Sequence, residues 1–133
     1  MIKKSFHPLK DQRIIIVEDQ PIVALDFQTF LKLNGYNNSA YFISGKTAID
    51  NIKTIKPDLA LLDIKLKDAI TGLEVAEYLN EFNIPFIFVS AFSNQDNYKK
   101  AVKLNPAKIF HKPVDHKSLM KAIDDVFQGI SNS

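Results

Sequence analysis

The 133-residue sequence contains no cysteine. This absence excludes disulfide bonds, thiolate metal sites and a cysteine nucleophile from any account of the protein. The three histidines, His7, His111 and His116, do not share the spacing of a metal-binding motif. A metal site in this chain would therefore be expected to use oxygen ligands.

Long apolar runs are also absent. The longest uninterrupted apolar stretches contain only a handful of residues, whereas a membrane-spanning helix needs about 20. Residues 1–13 are polar and basic without an apolar segment, so they do not resemble a signal peptide. We therefore expect a cytoplasmic protein without a membrane partner.

The basic residues do not form a cluster in the sequence, and neither sign of charge dominates. The 17 Lys and Arg residues nearly balance 15 Asp and Glu residues, and the basic ones are scattered along the chain. Because nucleic-acid surfaces need a basic patch, direct binding of DNA or RNA is not expected. With no internal repeat or linker, the length predicts a single domain over residues 1–133, with its core at about 12–129.

Five short apolar runs mark the predicted strands. Continuous apolar runs of about four to six residues are typical of strands that are buried on both faces. The second run is partly polar, which makes it the weakest of the five. The runs cover residues 14–17, 39–43, 59–62, 86–89 and 108–111.

Segments with apolar residues at helical spacing separate these runs. They cover residues 25–33, 47–56, 72–83, 94–104 and the stretch from Asp115, a predicted cap, to Gly129. Asn34-Gly35 and Pro57 are expected to end the first two helices. Strands that alternate with helices predict an α/β fold with a parallel sheet covered on both faces.

Polar residues stand where the predicted strands end. Glu18 and Asp19 follow the first strand, Asp63 the third, Ser90 the fourth and Lys112 the fifth. In an open parallel sheet, ligands bind outside the carboxyl ends of the strands. We therefore expect these side chains to face one another at one edge of the sheet.

This set of residue types indicates phosphoryl chemistry. Gathered carboxylates repel one another and call for a cation, and oxygen-only ligands suit Mg²⁺, which also accepts a phosphate oxygen. A carboxylate can attack phosphorus to form an aspartyl phosphate, a transfer that needs mainly placement and neutralisation of charge. The Lys112 ammonium can share that charge, and the Ser90 hydroxyl can donate to one phosphoryl oxygen.

Each residue also has an ordinary structural interpretation. Acids before Pro21 suit a helix N-terminus, and Asp63 and Ser90 suit the turns that follow strands. A lysine before proline is commonly a solvated charge. Only the joint placement at one edge favours the functional interpretation.

Four segments in order resemble the receiver domains of response regulators in two-component signalling, including the chemotaxis regulators. They are residues 15–19 (IIVED), 61–66 (LLDIKL), 89–91 (VSA) and 112–113 (KP), and the resemblance covers about residues 12–129. It implies a flavodoxin-like three-layer sandwich with helices on both faces of a five-stranded parallel sheet of order 2-1-3-4-5. It also implies a signalling module and not an enzyme.

The resemblance assigns roles to the site residues. Asp63 is the implied phosphoryl acceptor, and Ser90 and Lys112 contact the phosphoryl group. The Lys112–Pro113 peptide bond is expected to be cis. The implied Mg²⁺ ligands are Glu18, Asp19, Asp63 and the backbone carbonyl of Lys65.

The resemblance also implies partners. A histidine kinase or a phosphotransfer protein would donate the phosphoryl group, and a downstream protein or an output domain would receive the signal. Phosphorylation would draw Ser90 and the loop at residues 91–95 inward. The surface of the fourth helix, fifth strand and fifth helix would then change its partner preference, and it is also the candidate surface for a homodimer.

Some positions depart from the family pattern. Lys67 and Asp68 occupy a longer loop where a proline is usual. Ile109 stands where an aromatic residue is expected, and Phe110 takes that role only if the strand register changes. Phe92 is bulky, which suggests that it shields the aspartyl phosphate from water.

Two other functions fit parts of the pattern. A phosphorylation-independent adaptor would keep the fold without the chemistry, yet all five site positions are intact. A phosphohydrolase with Asp63 as its nucleophile typically carries an acid two residues later, where this chain has Lys65. The sequence therefore favours the signalling switch.

Overall fold

Five strands and five helices alternate along residues 10–92 and 94–129, the part of the chain that the computed structural model describes. The strands are β1 (Ile14–Val17), β2 (Ser39–Phe42), β3 (Leu59–Leu62), β4 (Phe86–Ser90) and β5 (Lys108–His111). The helices are α1 (Pro21–Leu33), α2 (Gly45–Ile55), α3 (Gly72–Glu81), α4 (Gln95–Lys103) and α5 (His116–Gln128). No helix in these ranges is long and apolar enough to cross a membrane.

The strands form one parallel sheet of order β2-β1-β3-β4-β5. This order and the helices on both faces confirm the predicted flavodoxin-like fold. Every residue of β1, β3 and β4 is buried, because helices cover both faces of the inner strands. The edge strand β2 is only partly buried, which explains its more polar sequence.

Alternate residues of each strand face different helical layers. Ile15 and Val17 pack into one core with α2, α3 and α4, whereas Ile14 and Ile16 pack into a second core with α1 and α5. This alternation follows from the two-residue period of a strand. The apolar runs are continuous because both faces are covered.

Local signals place the helix ends. α1 starts at Pro21, four residues earlier than the apolar pattern predicted, because the fixed φ of proline suits the first helical position. The predicted stop is present, since Gly35 follows the helix with a φ of 95°. Asp115 caps α5 by accepting from the Ser118 amide, and Gly129 ends that helix in the left-handed conformation, both as predicted.

The end of the sheet at which the strands begin is called the amino edge here, and the opposite end the carboxyl edge. At the amino edge, Tyr36 Oη donates to Asp124 Oδ1 at 2.6 Å. Lys10 Nζ lies 3.5 Å from the same carboxylate oxygen and 4.3 Å from the centre of the Tyr36 ring. The Arg13 amide donates to Asp58 Oδ2 at 2.8 Å. These contacts join α1, α5 and the start of the sheet.

Candidate functional site

Four of the predicted side chains meet at the carboxyl edge. Lys112 Nζ donates to Glu18 Oε1 at 2.6 Å and to Asp63 Oδ2 at 2.8 Å. Ser90 Oγ donates to the other oxygen of Asp63, Oδ1, at 2.6 Å. The expected convergence of residues from the ends of β1, β3, β4 and β5 is therefore present, and the Lys112–Pro113 peptide bond is cis as expected.

The backbone places these side chains by extending the sheet one residue past its strands. The Asp63 amide donates to the Val17 carbonyl at 3.0 Å, and the Lys112 amide donates to the Ser90 carbonyl at 3.0 Å. Asp63 and Lys112 thus leave the sheet in the strand direction, each one residue beyond its strand, whereas Ser90 is the last residue of β4. A buried sheet is rigid, so the distances between these side chains are set by strand spacing.

The carboxyl edge buries charge. Glu18 is 2% exposed and Asp63 is 9% exposed. Burial raises the pKa of Glu18, although the hydrogen bond from Lys112 partly opposes this shift. Burial also lowers the pKa of Lys112, but its hydrogen bonds to Asp63 and Glu18 outweigh burial and raise that pKa overall. Lys112 is therefore a cation at neutral pH, and its single positive charge offsets part of the negative charge of the two carboxylates that it contacts.

A cleft of about 630 Å³ opens directly beside these groups. Its walls include five predicted site residues, namely Asp19, Asp63, Lys65, Ser90 and Lys112. A phosphoryl group entering this cleft would meet a carboxylate, a hydroxyl and an ammonium at once. The cleft can accordingly recognise a small anionic group.

The residues at the cleft fit a partly hydrated Mg²⁺. Among the described residues, no three His, Asp or Glu side chains are grouped into a metal cage. Mg²⁺ does not need one, since it keeps several waters and is usually bound through one or two carboxylates. Asp19 and Asp63 supply two carboxylates at the same cleft, and Lys65 stands in its wall.

Glu18 is placed differently from Asp19. One of its oxygens accepts from Lys112 Nζ at 2.6 Å, and the other accepts from the Gln20 amide at 3.2 Å. In this arrangement Glu18 orients the lysine and the turn before α1. Its assignment as a Mg²⁺ ligand stays a prediction.

Gly72 packs against the backbone of the acceptor residue. A Cβ atom at this position would lie 1.9 Å from the Asp63 carbonyl oxygen, far closer than atoms can approach. The Gly72 amide donates to the Ile64 carbonyl at 2.8 Å. Only glycine allows the start of α3 to close so tightly over the end of β3.

The register of β5 answers a question that the sequence left open. Val89 pairs with Phe110 and Ser90 pairs with His111, in an unshifted parallel ladder. Phe110 consequently packs on the α1–α5 side of the sheet, whereas Ile109 packs on the α4 side. No register change brings Phe110 into the switch position.

A different aromatic group lies beside Ser90. The Phe92 ring centre is 4.9 Å from that of His111 and 5.4 Å from that of Tyr98 on α4. Phe92 thus lines a neighbouring cleft that is bounded by α4, beside the cleft that holds Asp63. The suggested shielding of the phosphoryl group by Phe92 stays a prediction. His111 is exposed. Ser93, which belongs to the loop at residues 91–95 that is expected to move on phosphorylation, lies outside the described residues.

One contact of the loop beside the cleft could not be predicted from the sequence. In the sequence, Asp68 is distinctive only as a departure from the receiver pattern, yet its carboxylate accepts from two backbone amides of α2. Those amides are 22 and 23 positions away in the chain. Backbone donors carry no sequence signature, so only the fold reveals them.

Comparison with known proteins agrees with the site. The sequence profile of the response regulator receiver domain matches residues 14–124. The transcriptional regulatory protein PdtaR of Mycobacterium tuberculosis is 26% identical over 114 residues, which are 85% of this chain and 55% of PdtaR. The chemotaxis protein CheY of Treponema pallidum is 27% identical over 121 residues, which are 87% of this chain and 83% of CheY.

The fold has close structural counterparts as well. The signal receiver domain of a modulated diguanylate cyclase from Desulfovibrio desulfuricans superposes with a TM-score of 0.82 at 30% identity. The match covers 88% of this chain and 94% of that domain. By contrast, the chain spans only about half the length of PdtaR.

Proposed function

The chain belongs to the response regulator receiver domain family, and on that basis we propose that Asp63 accepts a phosphoryl group in a Mg²⁺-dependent reaction. As a receiver domain of two-component signalling, it is a signalling module and not a classical enzyme. The proposed donor is the phosphohistidine of a histidine kinase or of a phosphotransfer protein. The cytoplasmic location expected from the sequence stays a prediction.

One observation carries this proposal: a single buried carboxylate is contacted on one oxygen by a hydroxyl and on the other by an ammonium. Ser90 Oγ lies 2.6 Å from Asp63 Oδ1, and Lys112 Nζ lies 2.8 Å from Asp63 Oδ2. A structural ion pair would not need an open cleft beside it, whereas this one has a cleft of about 630 Å³. The arrangement suits a carboxylate that receives an anionic group.

The chemistry follows from the contacts. An Asp63 oxygen forms the new P–O bond while the P–N bond of the donor breaks, and the leaving imidazole nitrogen takes up a proton. The Lys112 ammonium offsets the negative charge brought by the phosphoryl oxygens. The Ser90 hydroxyl can rotate from the carboxylate to a phosphoryl oxygen.

Mg²⁺, when bound, would neutralise further charge on the phosphoryl oxygens. Glu18, Asp19, Asp63 and the carbonyl of Lys65 are the residues proposed to hold it, and Glu18 also orients Lys112. The protein's contribution is therefore placement and charge, which are what phosphoryl transfer needs most.

The proposed output surface is formed by α4, β5 and α5. Phe92 follows Ser90 by two residues and contacts both Tyr98 of α4 and His111 of β5. Movement of Ser90 would therefore reach this ring cluster directly. We propose that a downstream protein or output domain, or a second copy of the chain, binds this surface.

Phosphorylation by a small donor tests the proposal. The chain is incubated with Mg²⁺ and acetyl phosphate, and its intact mass is measured. A gain of one phosphoryl group is expected for the wild type, and none for Asp63→Asn. Asp58→Asn, an equal change at an exposed acid of the amino edge, is the matched control and should be modified like the wild type.

Other results would point elsewhere. The proposal is wrong if the chain gains no phosphoryl group from acetyl phosphate and its NMR spectrum does not change when beryllofluoride is added. That result would support the adaptor function. Turnover of many phosphoester molecules per chain would instead support a phosphohydrolase.

A further inference from the structure

The loop between β3 and α3 forms one wall of the proposed acceptor cleft. This segment, residues 64–71, is called the site loop. Lys65, Leu66 and Lys67 of the site loop line the cleft together with Asp63. The position of the site loop therefore determines how closely these residues approach a cation or a phosphoryl group in the cleft.

The site loop is closed at its base. The Gly72 amide donates to the Ile64 carbonyl at 2.8 Å. Thr71 and Glu74 form a reciprocal capping box that starts α3. These contacts fix the two ends of the site loop but not its middle, where the residues that line the cleft are found.

Asp68 fixes the middle of the site loop to a different helix. Its Oδ1 atom accepts from the Gly45 amide at 3.2 Å, and its Oδ2 atom accepts from the Lys46 amide at 3.0 Å. Both amides belong to the first turn of α2, where backbone N–H groups have no partner within the helix. Hydrogen bonds to an ionised acceptor are roughly twice as strong as neutral ones.

Beside these hydrogen bonds, the site loop and α2 are closely packed. A Cβ atom on Gly45 would lie 2.7 Å from both the Cγ2 atom and the carbonyl oxygen of Ile70. The site loop therefore lies directly on the backbone of α2, at a separation that only glycine permits. A shift of α2 would therefore displace the site loop, and a shift of the site loop would displace α2.

We propose that Asp68 is a positioning residue, which ties the site loop to α2 and thereby sets the affinity of the cleft for Mg²⁺. The inference rests on the proposed function of the cleft. Asp68 touches neither the phosphoryl group nor the cation. It acts through the site loop, on the placement of Lys65 and its neighbours.

A purely structural role makes a different prediction. If Asp68 only stabilised the start of α2, its loss would lower the stability of the chain but leave the cleft unchanged. Positioning requires that the cation affinity falls while the fold persists. The Mg²⁺ affinity of the folded, unphosphorylated chain is therefore the deciding quantity.

The experiment compares three variants with the wild type. Asp68→Ala removes both acceptors, and Asp68→Asn keeps one amide oxygen as an acceptor. Asp50→Ala is the matched control, because Asp50 is an exposed acid of α2 that pairs with Lys46 Nζ at 2.8 Å. It removes the same charge near the same helix without contacting the site loop.

Two measurements are made on each variant: the Mg²⁺ dissociation constant from an NMR titration, and hydrogen exchange at the amides of residues 64–67. We expect Asp68→Ala to weaken Mg²⁺ binding about tenfold, as loss of a supporting contact behind a metal site commonly does. Asp68→Asn should weaken it about threefold, because it keeps part of the contact. Exchange in the site loop should accelerate in the same order, and Asp50→Ala should match the wild type.

The outcomes separate this inference from the function on which it rests. Absence of Mg²⁺ binding by the wild type would overturn the proposed function and the positioning role together. If the wild type binds Mg²⁺ and accepts a phosphoryl group, but Asp68→Ala binds the ion like Asp50→Ala, only the positioning role is overturned. Faster exchange without weaker binding would also overturn it, since the site loop would then be loosened without effect on the cleft.

Discussion

The carboxyl edge and the amino edge of the sheet differ in how deeply their charged side chains are buried. At the carboxyl edge, Glu18 and Asp63 have side chains that are 2% and 11% exposed, and they share one ammonium. At the amino edge, the paired side chains of Lys10 and Asp124 are 31% and 35% exposed. One edge buries its charges, and the other keeps them close to water.

The difference shows which edge is built for more than stability. Desolvating carboxylates costs several kcal/mol per ion, and their pairing seldom gives a net gain over apolar packing. The amino edge avoids that cost, since its charges remain partly hydrated and its buried Tyr36 is neutral. The arrangement at the carboxyl edge is thus better explained by chemistry than by folding.

The largest loss of stability is expected at Gly72, which packs against the backbone of Asp63 at the carboxyl edge. Gly72→Ala would place a Cβ atom 1.9 Å from the Asp63 carbonyl oxygen, so α3 or the end of β3 must move. We expect a loss of about 3 kcal/mol in the free energy of unfolding, measured by urea denaturation. Gly129→Ala is the control, because its φ is +74° but nothing lies within 4 Å of the new atom. It should lose only about 1 kcal/mol, and equal losses would contradict the packing argument.

A smaller effect is expected from removing the shared ammonium. Lys112→Met leaves Glu18 and Asp63 facing each other without a cation, at an expected loss of about 2 kcal/mol at pH 7. This value is discounted because the Lys112 side chain is 25% exposed. Lys100→Met, which breaks an exposed ion pair with Asp96, should change stability by less than about 0.5 kcal/mol.

The pH dependence of the Lys112→Met effect sharpens the comparison. Burial raises the pKa of Glu18, so protonation of that carboxyl favours the folded chain as the pH falls, and ionisation disfavours it as the pH rises. The loss caused by Lys112→Met should therefore shrink when urea denaturation is repeated near pH 4.5. A loss that is constant with pH would mean that unpaired charge is not its cause.

The smallest effect is expected at the amino edge. Tyr36→Phe removes the hydrogen bond to Asp124 and should lower the free energy of unfolding by about 1 kcal/mol at pH 7. Burial, followed by the hydrogen bond and charge of Asp124, raises the pKa of Tyr36 above its ordinary value. Its stabilising contribution is therefore complete below about pH 10, and it decreases at higher pH as the unfolded chain ionises first. The difference between wild type and variant should narrow near pH 11. Tyr41→Phe, at an exposed position of the edge strand, should change the stability at pH 7 by less than about 0.5 kcal/mol.

The sequence was sufficient for features that depend on local pattern. Buried runs such as residues 14–17 and 59–62 identified the strands, and the residues after them were correctly predicted to converge, because strand ends of a parallel sheet share one edge. Features that depend on packing between distant segments were not predictable. The face taken by Phe110 depended on the register of β5, and the contact of Asp68 depended on where α2 begins.

The contact between Glu18 and Lys112 joins residues 94 positions apart. It requires the first and the last strand to be in place on either side of β3 and β4, since the strands lie in the spatial order β2-β1-β3-β4-β5. A nascent or proteolytically shortened chain that lacks β5 would still carry its aspartate, but without the amine that completes the pocket. The complete pocket would then be present only in chains whose fifth strand has joined the sheet, and shortened molecules would lack it.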